Sequence, residues 1–157
     1  MNILVLCTGN SARSILLEAI LNDIGQGRVS AYSAGSRPAG AVHPQSLKLL
    51  EELDHDTSHA RSKSWDEFAG PDAPEMDMVI TVCASAAGET CPIWPGTPVR
   101  AHWGVEDPAA LPEDDWERGF RAAYDTLRGR AEALLKYPVE TMDPGELKAT
   151  LDRIAKK

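Results

Sequence analysis

The sequence predicts an α/β fold: a doubly wound, four-stranded parallel sheet with helices on both faces. Short apolar runs alternate along the chain with stretches at helical spacing, the order a parallel sheet requires. The runs are continuously apolar, as suits strands covered on both sides. Reactive side chains follow the ends of those runs, where open parallel sheets hold their ligands.

Residues 2–6 (NILVL) form the first expected strand. A helix follows from about Arg13 to Asp23, with Ile15, Leu16, Ala19, Ile20 and Ile24 as its apolar stripe, and Gly25 and Gly27 end it. Val29 to Ala34 is the second strand, closed by Gly35. Pro44 to Leu53 is a second helix, with Leu47, Leu50 and Leu53 on one face. Residues 57–64 read as a polar loop, Trp65 to Phe68 as a short helix, and GPDAPE as a breaker. Met78 to Val82 is the third strand, and Cys83 follows at once. Residues 84–98 show no periodicity and read as a loop, with Gly88 and few bulky apolar anchors to stabilise it. Val99 to Trp103 is a short fourth strand, and residues 104–112 form a loop carrying Asp107-Pro108. A long helix runs from about Glu113 to Lys136 and stops before Pro138. Its acidic start, Glu113-Asp114-Asp115, suits a helix N-terminus. An accessory helix, about 143–155, begins at Asp143-Pro144 and is expected at the sheet edge or in association. No linker or repeat divides residues 1–157, which read as one domain.

The 157 residues carry a formal net charge of -8, which argues against nucleic acid as a partner. A small anion remains compatible, because backbone N–H groups and one arginine hold an oxyanion locally. No apolar run reaches the ~20 residues of a membrane helix. The N-terminus lacks the basic start and apolar stretch of a signal peptide, so a soluble, cytoplasmic monomer is expected. The three cysteines, Cys7, Cys83 and Cys91, are then expected to be free of structural disulfides.

The stretch CTGNSARS, residues 7–14, joins the first strand to the first helix. Gly9 permits positive φ and clears space for an anion, and Asn10 tolerates left-handed geometry. The loop Thr8, Gly9, Asn10, Ser11 and Ala12 is expected to curl with its N–H groups inward, beneath the positive end of the helix. That field is expected to lower the pKa of Cys7. Arg13 forks onto two anion oxygens, and Ser14 donates to the thiolate. A nucleophile below a tetrahedral oxyanion is placed for in-line attack. Nucleotide-binding alternatives are missing: there is no GK[ST] ending and no GxGxxG.

The loop resembles the active-site loop shared by low-molecular-weight protein tyrosine phosphatases and the arsenate reductases built on the same fold, in Cys7, Gly9, Asn10, Ser11, Arg13 and Ser14. Ala12 stands where many relatives carry a second cysteine. The resemblance runs from Asn2 to about Leu135 and includes YSAG (32–35) and HWG…DPA; it leaves the tail beyond Pro138 unexplained. It implies that Asp107 is the general acid. Ala109 and Ala110 follow Asp107-Pro108, where the phosphatases usually place an aromatic residue to grip the substrate ring. Cys83 and Cys91 resemble the cysteine pair of thioredoxin-coupled arsenate reductases, whereas a hydrolase needs neither thiol. Zinc held by these two and His102 fits the spacing poorly, and no bound metal or cofactor is expected.

The implied activity is reduction of arsenate to arsenite by a Cys7/Cys83/Cys91 relay, recycled by thioredoxin. The alternatives are a phosphomonoester hydrolase and a thiol-based module sensing arsenite or redox state. Some relatives bind potassium beside the loop through residues matching Asn10, Glu18 and Ser33 plus an acidic residue. That acidic position falls near Lys63, so no potassium dependence is expected. His43, His55 and His59 are expected to be exposed. Trp65, Trp94, Trp103 and Trp116 are expected to pack, with Trp103 shaping the Asp107 loop.

Overall fold

A computed structural model describes residues 1–83 and 98–156. The expected loop from residue 84, with Gly88, Cys91 and Trp94, lies outside the described residues.

Four strands form one parallel sheet: β1 (Asn2–Leu6), β2 (Ser30–Ala34), β3 (Met78–Thr81) and β4 (Val99–His102), in the order β2-β1-β3-β4. Ile3, Leu4, Val5, Met78 and Ile80 are fully buried, as continuously apolar runs in a covered sheet should be. The helices are α1 (Arg13–Ile24), α2 (Pro44–Glu52), α3 (Trp116–Leu135) and α4 (Pro144–Ala155). Helix α1 connects β1 to β2 on one side, and the chain then travels back past β1 to β3. The sheet order therefore reverses between β1 and β3, opening a crevice beyond their carboxyl ends. Leu6 pairs with Thr81 there, and Val82 N donates to Leu6 O, so Cys7 and Cys83 emerge side by side.

The helices bury the faces their patterns predict. Leu16, Leu17, Ile20 and Leu21 of α1 and Phe120, Leu127, Ala131 and Leu134 of α3 have no exposed surface. The two helices pack together, and α2 joins them. The long expected helix is divided: Glu113–Asp115 is a 3-10 turn, and Asp115 (φ -102°, ψ 0°) breaks the hydrogen-bond ladder before Trp116. Asp143 caps α4 through its side chain onto Glu146 N, as the Asp-Pro start predicts.

Helix α4 lies against the edge strand β4 and against α3. The indole N–H of buried Trp103 donates to Leu151 O at 3.0 Å, and Lys148 Nζ donates to Arg100 O at 2.7 Å. Leu147, Leu151 and Ile154 face inward, each worth about 1.5–3 kcal/mol when buried. Helix α4 thereby covers the outer side of β4.

Two histidines depart from the expectation of exposure. His43 is half-buried: its Nδ1 accepts from Gln45 N at the start of α2, and its ring packs against Trp116 and Phe120. His55 is half-buried and shares a 2.6 Å hydrogen bond with the Tyr124 hydroxyl. Both polar stretches fold back over α3, which the local sequence does not reveal. His59 is exposed.

Candidate active site

The loop between β1 and α1 is shaped by its carbonyls. Thr8 O accepts from Arg37 N, Gly9 O from Ala39 N and Ser62 Oγ, and Ser11 O from His43 N and Ser46 Oγ. A planar peptide places the next N–H opposite its carbonyl. Tying these carbonyls to the surrounding chain therefore turns the N–H groups of Gly9, Asn10 and Ala12 the other way, toward a common centre. The helix adds its own N-terminus: Ala12 sits at the N-cap of α1 and provides no side-chain cap, so the first-turn N–H groups remain directed at the loop.

Of the two positions expected to allow it, left-handed geometry falls on Asn10 (φ 46°) and not on Gly9. Asn10 is fully buried, and its side chain explains why it tolerates the strain. Its Oδ1 accepts from Lys63 N at 3.0 Å, and its Nδ2 donates to Ser14 Oγ at 2.9 Å. Gly9 contributes by lacking a side chain in the cradle. Gly35 is needed for a different reason: a Cβ there would lie 2.7 Å from Cys7 O and closer still to Thr8 O. This close approach accounts for the glycine of YSAG.

Lys63 is buried beside the loop. Its Nζ donates to Arg61 O at 3.1 Å and lies 3.5 Å from Ser33 Oγ. Burial pushes the Glu18 carboxyl up, and the Lys63 charge opposes that push. Burial likewise pushes the Lys63 ammonium down, opposed by Glu18. Asn10, Ser33, Glu18 and Lys63 thus form one polar cluster beside the β1–α1 loop, with the Lys63 ammonium within it.

Arg13 spans the crevice. Its Nη1 donates to Val105 O at 2.9 Å, and its Nη2 lies 3.8 Å from Asp107 Oδ2. Its Nε is buried without a hydrogen-bond partner, and so remains available to an anion. Asp107 caps the 3-10 turn Pro108–Ala110 through Oδ1 onto Ala109 N, which leaves its partly exposed Oδ2 facing Arg13. The loop carrying Asp107 is thereby brought to the nucleophile's loop, as expected.

Cys7 and Cys83 are both buried thiols. Cys83 Sγ accepts from Thr8 N at 3.3 Å and lies 3.5 Å from Thr8 Oγ1. The Cys7 thiol is pushed up, first by its hydrogen bond with Cys83 and then by burial; Arg13 and the Gly9 N–H oppose this but do not win. The expectation of a lowered Cys7 pKa is therefore corrected for the resting pair. A neighbouring thiol that shares the proton outweighs the field of the loop. Cys91 lies outside the described residues. Among the described residues no cluster of three or more His, Cys, Asp or Glu side chains stands ready for a metal.

Sequence reasoning missed the anchors. Val105, His43, Ser46 and Ser62 carry no motif, and Val105 and His43 contribute only a backbone atom each.

The model of the family described as low molecular weight phosphotyrosine protein phosphatase matches residues 2–148. The chain is 35% identical over 113 residues to an arsenate reductase of Staphylococcus xylosus, covering 72% of this chain and 82% of that protein. It resembles a solved arsenate reductase in its phosphate-binding state, with a TM-score of 0.69, 26% identity, and coverage of 86% of this chain and 96% of the other. It also resembles a thioredoxin-dependent arsenate reductase of Corynebacterium glutamicum, with a TM-score of 0.63, 26% identity, and coverage of 86% and 60% respectively.

Proposed function

The chain belongs to the low molecular weight phosphotyrosine protein phosphatase family, and on that premise we propose that it is an arsenate reductase working by a cysteine relay. The observation that carries the reading is Cys83, whose sulfur is hydrogen-bonded to Cys7 and seated on Thr8 N–H at the edge of the anion loop. A phosphatase has no use for a second thiol there.

Arsenate binds with its oxygens on the loop N–H groups of residues 9–12 and the Arg13 guanidinium. The Cys7 thiolate attacks arsenic, and an As–O bond breaks as Asp107 protonates the leaving oxygen, which departs as water. Ser14, held by Asn10, keeps its own proton to donate to the sulfur. The Cys83 thiolate then attacks Cys7 Sγ. A Cys7–Cys83 disulfide forms and the S–As bond breaks, its electron pair passing to arsenic. Arsenic is reduced by two electrons, the two thiols are oxidised, and arsenite leaves. Cys91 attacks Cys83, moving the disulfide to Cys83–Cys91 and freeing Cys7.

A thiol reductant returns the two electrons, and we assign that role to thioredoxin. Two recycling cysteines support this, as does the thioredoxin dependence stated of the Corynebacterium protein. The scheme requires no bound cofactor and places a monomeric enzyme in the cytoplasm, where thiols are kept reduced.

The test is arsenate-dependent NADPH oxidation with thioredoxin and thioredoxin reductase. Wild type should turn over, and Cys83→Ser should not. Brisk hydrolysis of p-nitrophenyl phosphate by both proteins, with no arsenate turnover by either, would make the chain a phosphatase instead.

A further inference from the structure

The loop that carries Asp107 is suspended over α3 and held at its two ends. At the far end, Pro108 and Leu111 seat on Gly119, and Trp116 Nε1 donates to Leu111 O at 2.8 Å. Beneath the middle lies a cleft of about 550 Å³, floored by the small α3 residues Ala122, Ala123 and Thr126. Packing therefore does little to fix the exposed Glu106 and Asp107. Their position depends on the near end, at Gly104 and Val105.

That end has three polar ties. Val105 N donates to Val82 O at 3.2 Å, Arg13 Nη1 donates to Val105 O at 2.9 Å, and Arg130 Nη1 of α3 donates to Gly104 O at 3.2 Å. Gly104 also lies close to a ring. A Cβ there would lie 2.6 Å from His102 Nε2, and the His102 ring is fixed by a 2.7 Å hydrogen bond to Thr81 Oγ1. The hinge thus has the His102 ring close by and its Gly104 carbonyl held by the Arg130 guanidinium.

Arg13 divides its donors between this hinge, through Nη1, and the oxyanion, which its unpartnered Nε is placed to receive. Arg130 has no such second task. We propose that Arg130 is a positioning residue for the acid: it holds the Gly104 carbonyl, and through that hinge keeps Asp107 aimed at the leaving oxygen while Arg13 is engaged with substrate. The proposal rests on the reading of Asp107 as the general acid.

The experiment follows arsenite formed by prereduced protein in a single turnover, at a range of arsenate concentrations. Wild type, Arg130→Met, Arg130→Lys, Asp107→Asn and the double variant Arg130→Met/Asp107→Asn are compared. Misplacing a general acid should slow the chemical step roughly tenfold in Arg130→Met, leave half-saturation by arsenate within about twofold, and be partly rescued in Arg130→Lys. In the double variant the Arg130 substitution should add nothing to the loss caused by Asp107→Asn. Equal slowing by Arg130→Met with and without Asp107, or no slowing at all, would overturn the positioning role. A wild-type rate in Asp107→Asn would instead remove the acid assignment on which the proposal stands. Should Arg130→Met fail to fold, the Lys variant and its double with Asp107→Asn carry the same comparison.

Discussion

Cys7 sits under two opposed influences, and their balance sets its reactivity. The loop N–H groups and Arg13 favour thiolate, while burial and the Cys83 hydrogen bond favour thiol. The thiol form wins, so the thiolate fraction grows as pH rises. Removing Cys83 removes the largest cause of the upward push. In a Cys83→Ala/Cys91→Ser protein, alkylation of Cys7 by iodoacetamide should therefore become faster at a given pH, and its pH profile should shift to lower pH. An unshifted profile would mean that the thiol pair is not coupled. Gly35 supports the same site sterically. Gly35→Ala places a methyl against the Cys7 and Thr8 carbonyls, and displacing that backbone by an ångström should cost on the order of a hundredfold in kcat/KM for arsenate.

Among the elements, the β1–α1 loop is held from behind by the Asn10, Glu18, Ser33 and Lys63 cluster. With an ammonium already inside, exchanging sodium for potassium at constant ionic strength should leave the rate of arsenate reduction unchanged. A several-fold rise would show that Lys63 does not fill the cation's place. Helix α4 makes a different contribution, covering β4 and the Trp103 indole. Leu151→Ala, at a fully buried position, should cost about 2–5 kcal/mol in urea unfolding. It should leave half-saturation by arsenate unaltered, because α4 contributes no residue to the anion loop.

Across the whole molecule, what was legible in the sequence is what is local. NILVL and MVIT reveal their strands by continuous apolarity, and CTGNSARS carries its own turn and helix start. The two thiols could be brought together from sequence because both follow strands that end on the same side of a parallel sheet. Partnerships made at long range escaped. Arg13 meets Val105 O across 92 positions and Cys83 meets Thr8 N across 75, and neither contact leaves a periodic trace. The upward push on Cys7 was missed because it arises from the very proximity of Cys83 that makes the relay possible. His55 reads as solvent-facing in the sequence because its partner, Tyr124, lies 69 residues away. In the relay it is Cys83, and no external thiol, that attacks Cys7 Sγ, forming the disulfide as the electron pair of the S–As bond passes to arsenic. The most direct test is to mix reduced Cys91→Ser protein with arsenate in the absence of any reductant, quench by alkylation, and map the cysteines by mass spectrometry. The relay predicts arsenite in stoichiometric amount and a Cys7–Cys83 cross-linked peptide. Arsenite released with Cys83 still open to alkylation would contradict it.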